Sequence, residues 1–336
     1  MNSIGKIFRV HIFGESHGSI VGINIDGCPA GLSLCIDDFI EDIERRKPGA
    51  KGTTTRSESD TPIIQTGVFN NHTTGAPITI VFTNNNTHSA DYEKQRQTPR
   101  PGHADFVAYK KFEGYEDYRG GGHFSGRLTV CLVAAGVVAK KLLQRMNSTS
   151  AIKITSSILS VGGEADIEKG IQKAIDKNDS VGGIVECVVD GLLIGLGEPF
   201  FDSVESKISH AIFSIPAVRG IEFGTGFPAA AMFGSDHNDA IINNNGTTQT
   251  NHSGGVVGGI TNGNQFVFRV AIKPTSSTPQ QQESLNIATN TLESFTVNGR
   301  HDLCIALRVP VVIEAVTAIV LTDLFMVQQS IKINVK

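Results

Sequence analysis

The 336-residue chain carries 29 lysines and arginines against 33 aspartates and glutamates, a formal net charge of −4 that leaves no global basic footprint for nucleic acid or an anionic membrane. With 40% hydrophobic and 18% charged residues it has the composition of a compact protein with a sizeable core, which excludes general disorder. Its five cysteines, Cys28, Cys35, Cys131, Cys187 and Cys304, are odd in number and never form a CxxC pair, which argues against a disulfide framework or a metal site and for reduced thiols in a cytoplasmic protein.

Along the chain, the opening MNSIGKIFRVHIFGESHG breaks every apolar run with polar residues, so no secretion signal is expected, and no later segment reads as a clean membrane span. Residues 19–27 alternate as a strand with one buried face. Residues 36–47 read as a helix that opens on Asp37 and Asp38 and closes on Arg45, Arg46 and Lys47 before Pro48 and Gly49. The helix dipole already accounts for part of that terminal charge. A strand is expected over 77–83, and a long, nearly all-round apolar helix over 125–146 with Ser125 as its cap. Then come a strand over 152–161, an amphipathic helix over 164–177, a strand over 183–189 and a helix starting from a capping-box-like Asp202 and Glu205 and running to Phe213. A strand over 265–272 and a second very apolar helix over 311–327 follow. Residues 243–255 and 274–282 read as exposed or ligand-ordered loops. With no evident linker and no repeat, the expectation is one integrated α+β domain over 1–336.

Two histidines lie in company suited to acid–base work: His17 in GESHG and His103 in RPGHAD, each with a carboxylate nearby, Glu15 and Asp105, that sets a tautomer or supports a charged ring if the fold joins them. A lone histidine of this kind is more often a turn residue bonded to backbone. Arg45, Arg46, Arg56, Arg100, Arg119, Arg127 and Arg300 stand beside Gly, Pro, His or acidic residues, and guanidinium forks so placed suit a small multiply anionic ligand. The 36 glycines exceed the roughly 7% of average usage and gather in GGGHFSGR, SGGVVGGITNG and near KPTSS, backbone that lets a cofactor phosphate or flavin edge approach closely. No dinucleotide GxGxxG or P-loop pattern occurs in the strand–helix context it needs. In GRHDLC, Asp302 reads as a cap, an ion-pair partner or a base.

GESHG, RRKPG, TTTRSESD, RPGHAD, DYRGGG followed by SGR, SIPAVRGIEFG, GSDHND, SGGVVGGITNG, KPTSS and GRHD, in this order over essentially the whole chain, resemble the chorismate synthase family. The resemblance implies a β-α-β sandwich with a helical layer between antiparallel sheets, usually assembled as a homotetramer. It implies anti-1,4 elimination of phosphate from 5-enolpyruvylshikimate 3-phosphate to give chorismate, with reduced FMN supplying transient electron transfer and no net redox change. His17 would protonate or stabilise the departing phosphate, His103 would tune or protonate the reduced flavin, and Asp302 would help flavin N5 act as a base. Arg45, Arg46, Arg100 and Arg127, with Lys51 standing in for a basic residue at Gly52, would hold the substrate's anionic groups. Ser125, Asn238, Asp239, Gly258, Lys273, Pro274, Thr275, Ser276, Ser277 and Arg300 match positions associated with FMN. The resemblance leaves open whether NADPH reduces the flavin on this chain or an external flavin reductase does. The chain departs from the family at His123 and Phe124, where Arg-Ser is common, and at Leu303, where Pro is usual. A non-catalytic flavin-binding protein is the rival reading, and the joint presence of His17, His103 and Asp302 argues against it.

Overall fold

The computed structural model describes residues 2–55, 59–85, 96–147, 151–297 and 301–331. The first part of the chain builds a five-stranded antiparallel sheet from β1 (Ser3–Ile4), β2 (Arg9–Gly14), β3 (Ile20–Asp26), β4 (Ile63–Thr66) and β5 (Ile78–Thr83), in the order β1-β2-β3-β5-β4. Between β3 and β4 lies helix α1 (Ile40–Arg46), and after β5 come α2 (Asp105–Lys111) and α3 (Thr129–Met146). The second half forms a four-stranded antiparallel sheet from β6 (Lys153–Val161), β7 (Gly183–Asp190), β8 (Val218–Phe223) and β9 (Phe266–Ile272), ordered β8-β9-β7-β6. Its longer helices are α4 (Ile167–Lys177), α5 (Val204–Ile212) and the closing α6 (Pro310–Ile331).

The all-round apolarity of α3 and α6 follows from their neighbours: α3 lies on β3 and β5, α6 lies on β6 and β7, and the two helices pack on each other. This is the expected sandwich, with helices between two antiparallel sheets. At the crossing, a Cβ on Gly136 would stand 2.5 Å from Ala315 Cα, so the absent side chain sets how closely the helices approach. α6 is long and apolar enough to cross a membrane by length and composition, contrary to the sequence expectation. Here every residue from Val311 to Phe325 is buried in protein, including two carboxylates with complete partners. Asp323 accepts the backbone N–H groups of Lys6, Ile7 and Phe8 at 2.8–3.0 Å, and Glu314 takes Arg45, Lys140 and the Ser156 N–H.

Several boundaries differ from expectation for local reasons. Residues 36–39 form a 3₁₀ turn before α1. Ser125 caps a 3₁₀ turn, Gly126–Leu128, by accepting from the Arg127 N–H at 3.3 Å, and α3 begins only at Thr129. The helix expected from Glu164 starts at Ile167, because residues 161–164 close a tight turn through reciprocal backbone bonds and Asp166 is the residue that caps it. The cap of α5 is Ser203 and not Asp202, whose carboxylate is drawn to Lys6 and Lys207. Strands β2 and β8, and the hairpin of Gln282–Asn286 with Thr291–Phe295, carry too few alternating apolar positions to announce themselves and gain their pairing from neighbours.

Candidate active site

One cavity of about 820 Å³ opens where the two sheets and the helical layer meet, in the upper part of the roughly 300–1,000 Å³ range usual for small-molecule sites. His17 reaches it from the turn between β2 and β3. That turn is clamped by the Asn84 amide on the carbonyls of Glu15 and Gly18 at 3.0 and 2.9 Å, and by the Ser16 N–H on Gly122 O at 3.1 Å. His103 enters from the loop before α2. Gly120, Gly121 and Gly122, all at positive φ, carry the chain between the two imidazoles. A Cβ on Gly120 would stand 2.5 Å from His17 Nε2, and one on Gly121 would stand 3.1 Å from His103 Cε1. The glycine triplet is therefore the spacer that allows His17 and His103 into one site.

His103 is held by its own loop. Its Nδ1 lies 2.6 Å from Asp105 Oδ1, and the Arg100 guanidinium grips the same carboxylate through Nε at 2.7 Å and a terminal nitrogen at 2.8 Å. Burial pushes the Asp105 carboxyl up, but the hydrogen bonds from Arg100 and His103 overcome it and hold the group far below the usual carboxylate range. RPGHAD is thus a self-bracing unit in which the aspartate orders both the arginine and the histidine.

Arg46 and Arg127 share the buried carboxylate of Asp60, which the sequence reading passed over inside TTTRSESD. Arg46 also donates to Thr129 Oγ1 at 2.9 Å and to the carbonyls of Gly126 and Arg127, while Arg127 bonds Asn84 Oδ1 at 3.0 Å. Burial, with Arg308 close by, lowers Arg46 to about 10, so it is charged at neutral pH. Asp302 accepts the Thr54 N–H at 2.9 Å and pairs with Arg308 at 3.1 Å. Lys273 bonds Gly102 O at 2.5 Å and Ser276 Oγ at 2.6 Å, which ties the KPTSS loop to the RPGHAD loop, and burial with nearby Arg219 lowers the amine.

The cavity wall therefore includes His17, His103, Asp302, Arg46, Arg100 and Arg127 together with Ser125 and the whole run Lys273 to Ser277. Arg219, Arg308, His210, His301 and Asp60 join them without having been singled out. Arg219 stood in SIPAVRGIEFG beside a glycine, the same context as the other arginines, whereas Arg308 in ALRVP carries no sequence signal. Five arginines and Lys273 face two carboxylates, so the site is strongly cationic in a chain that is acidic overall. A second face, with Ile4, Val10, Ile12, Leu132, Val312 and Val316, is apolar.

Other expected residues lie elsewhere in the single chain. Arg45 turns to Glu314 at 2.7 Å and Asp42 at 3.1 Å, because α1 presents successive side chains about 100° apart and only Arg46 faces inward. Lys51 reaches Gln172 on α4 at 2.9 Å. Gly52 has φ +91° and its Cβ would press on Ile171 and Leu307, so no long basic side chain fits there without strain. Asn238, Asp239 and Gly258 belong to the excursion between β8 and β9, which leaves from the strand end opposite Val218 and Lys273. Six strand residues separate the ends by roughly 20 Å. There Asp239 accepts the N–H groups of His252 and Ser253 at 2.8 and 2.9 Å. Arg300 and Arg56 lie outside the described residues. His123 lines the cavity with its Nε2 3.0 Å from Asn2 Oδ1, and Phe124 lines it beside His123.

A family model described as chorismate synthase matches residues 8–326. A chorismate synthase from Chitinophaga pinensis is 65% identical over 329 residues, covering 98% of both chains. One from Dehalococcoides mccartyi is 44% identical and covers 96% of each. A crystal structure of chorismate synthase superposes with a TM-score of 0.71 at 26% identity, over 95% of this chain and 92% of that one. With the cationic cavity and its paired imidazoles carried on the same sandwich, the chain belongs to the chorismate synthase family, lyases that cleave a carbon–oxygen bond to phosphate in aromatic amino-acid biosynthesis.

Proposed function

We infer that the 820 Å³ cavity is where 5-enolpyruvylshikimate 3-phosphate loses phosphate to become chorismate, and that reduced FMN shares the cavity with it. The observation that carries this reading is the pair His17 and His103, held on either side of a three-glycine turn inside an arginine-lined cavity. The residues fit a flavin: Lys273 to Ser277 offer an amine, hydroxyls and close backbone for a phosphate, and the apolar face offers a dry surface for a ring. When bound, reduced FMN supplies the transient electron that eases departure of the phosphate.

The chain supplies charge, placement and protons. A substrate with one phosphate and two carboxylates gains most from cations that are fixed before it arrives, and Asp60 and the carbonyls of Gly126 and Arg127 fix Arg46 and Arg127. His17 is placed to give a proton to the leaving phosphate. His103, its ring orientation set by Asp105, would be one of the residues that hold and tune the flavin. Asp302, oriented by Arg308 and the Thr54 N–H, would be the carboxylate that assists removal of the substrate hydrogen.

Asn238, Asp239 and Gly258 lie away from this cavity in one chain, while Phe200, Phe201, Phe227 and Phe233 are 79–91% exposed. Exposed aromatics of this kind mark an association surface. They support self-association, in the homotetramer the family resemblance implies, with the β8–β9 excursion meeting a neighbouring chain.

The test is anaerobic. FMN is bound and chemically reduced, substrate is added, and phosphate and chorismate are followed together. Equal amounts of both over many turnovers per flavin are expected. Flavin binding with neither product would reduce the chain to a binding protein, and stoichiometric consumption of reductant would make it an oxidoreductase.

A further inference from the structure

We propose that residues 2–4 form a hinged strap across the large cavity, swinging on Gly5 and fastened by His123 and His11, and that its opening sets how fast the flavin enters and leaves. Asn2, Ser3 and Ile4 line the cavity, and Ile4 shares the apolar face with Val10 and Ile12 of the neighbouring strand. The strap therefore covers the surface read above as the seat of the flavin ring, and the identity of what passes it rests on that reading.

The chain beyond Gly5 is fixed. The N–H groups of Lys6, Ile7 and Phe8 all end on the buried Asp323 carboxylate at 2.8–3.0 Å, and the Lys6 amine pairs with Asp202. Gly5 has φ +100°, and a Cβ there would stand 2.0 Å from Phe8 O, so the sharp turn between anchor and strap is open to glycine alone. A small residue beside a rigid anchor is where a hinge forms.

The strap itself is held lightly. β1 has two residues at the edge of the five-stranded sheet, and Asn2 and Ser3 are exposed. Asn2 O accepts the Ile12 N–H at 3.0 Å. On the face toward the cavity, Asn2 Oδ1 lies 3.0 Å from His123 Nε2, and His123 Nδ1 lies 3.3 Å from Gly14 O at the end of β2. On the opposite face, Ser3 Oγ meets His11 Nδ1 at 2.7 Å. These side-chain bonds are exposed to water, where a hydrogen bond adds only modest stability. The other walls are held more firmly: Arg46 and Arg127 by Asp60, His103 by Asp105, and Lys273 by Gly102 O and by its N–H on Ala217 O at 2.9 Å. The least stabilised segment is the first to open. His123 directly follows the glycine triplet, so a closed strap ends against the turn that spaces the two imidazoles.

Hydrogen exchange on the apoprotein tests the hinge without flavin. Along β2 the N–H groups of Val10 and Ile12 point to β1, and those of His11 and Phe13 point to β3. Val10 and Ile12 are expected to exchange at least about tenfold faster than His11 and Phe13, and equal protection of all four overturns the strap. His123→Ala should speed exchange at Ile12 about fivefold, the loss of one neutral hydrogen bond, an effect that a direct contact of His123 with flavin would not give in the apoprotein. An unchanged rate overturns His123 as a fastening.

A lock tests the gate. Ser3 and His11 are opposed in a non-hydrogen-bonded pair of the ladder, where Cα atoms stand about 4.5 Å apart, within the span of a disulfide. In Ser3→Cys/His11→Cys, oxidation before FMN is added should slow its uptake, and oxidation after loading should slow its release, each at least about tenfold against the same variant reduced. Flavin fluorescence follows both, and equal rates in the two states overturn the gate. His11→Ala serves if the cysteine pair does not fold or oxidise. His11 does not line the cavity, so its loss should speed FMN release about fivefold through the strap alone, and an unchanged release rate also overturns the gate. If the wild-type chain binds no FMN, the cofactor reading above falls, and the exchange comparison still decides whether the strap opens.

Discussion

Asp60→Asn is the sharpest perturbation of the cationic wall, because one buried carboxylate serves two buried guanidiniums. Asp60 sits at φ +48°, a conformation that asparagine tolerates nearly as well as aspartate, so the substitution removes charge with little backbone strain. Breaking a buried pair on one side costs about 3–5 kcal/mol, since the partner charge is left uncompensated. For a chain of 336 residues at about 2.1 cal/mol/K each, the entropy of unfolding is about 0.7 kcal/mol/K, so the melting temperature should fall by ~4–7 °C. Inorganic phosphate should restore part of that loss, because an anion in the cavity supplies what Asp60 no longer does. The assay is thermal unfolding by circular dichroism with and without phosphate. A fall below about 1 °C would show that the two arginines do not depend on Asp60 and would refute the argument that it preorganises them.

Gly120→Ala should leave a folded protein, at a cost of about 1–2 kcal/mol for alanine at positive φ, yet lower kcat about 100-fold by displacing His17. Near-normal turnover would show that the imidazole need not be where this turn holds it. Arg45→Ala should reduce thermal stability slightly through Glu314, which keeps Lys140, and should leave KM for the substrate unchanged, whereas Arg46→Ala should raise KM. A raised KM in the Arg45 variant would return that residue to the substrate site. Burial pushes the Asp239 carboxyl up, but hydrogen bonds from Ser253, Thr250 and His252 prevail and hold it at about 2. Because the folded value is depressed, its contribution to the loop is complete above the ordinary value of 3.8 and is lost as pH falls through about 2. Pepsin should therefore cut residues 238–253 increasingly from pH 4 to pH 2, and Asp239→Ala should flatten that dependence.

Much of this protein is legible in the chain itself. Local composition announces the two apolar helices, the amphipathic α4, the strongest strands and the reduced cysteines, because periodicity and charge act over a few residues. The motif series carries the family, and through it the reaction, since His17, Arg46, Arg100, His103, Gly120 and Arg127, far apart in sequence, all line one cavity. What required the tertiary structure is how those groups are shared out. Adjacent Arg45 and Arg46 face a buried glutamate and the cavity, respectively, a division set by the turn of α1 and by Glu314, 268 or more residues away. Asp60 matters only because Arg46 and Arg127 converge on it, and Arg308 and Arg219 matter because β8, β9 and α6 bring them to one wall. The apolar α6 is a core helix because sheet and helix cover it and because Lys6, Ile7 and Phe8 supply the donors that Asp323 needs. Such long-range pairings depend on distances across space, which no pattern of neighbours along the chain contains.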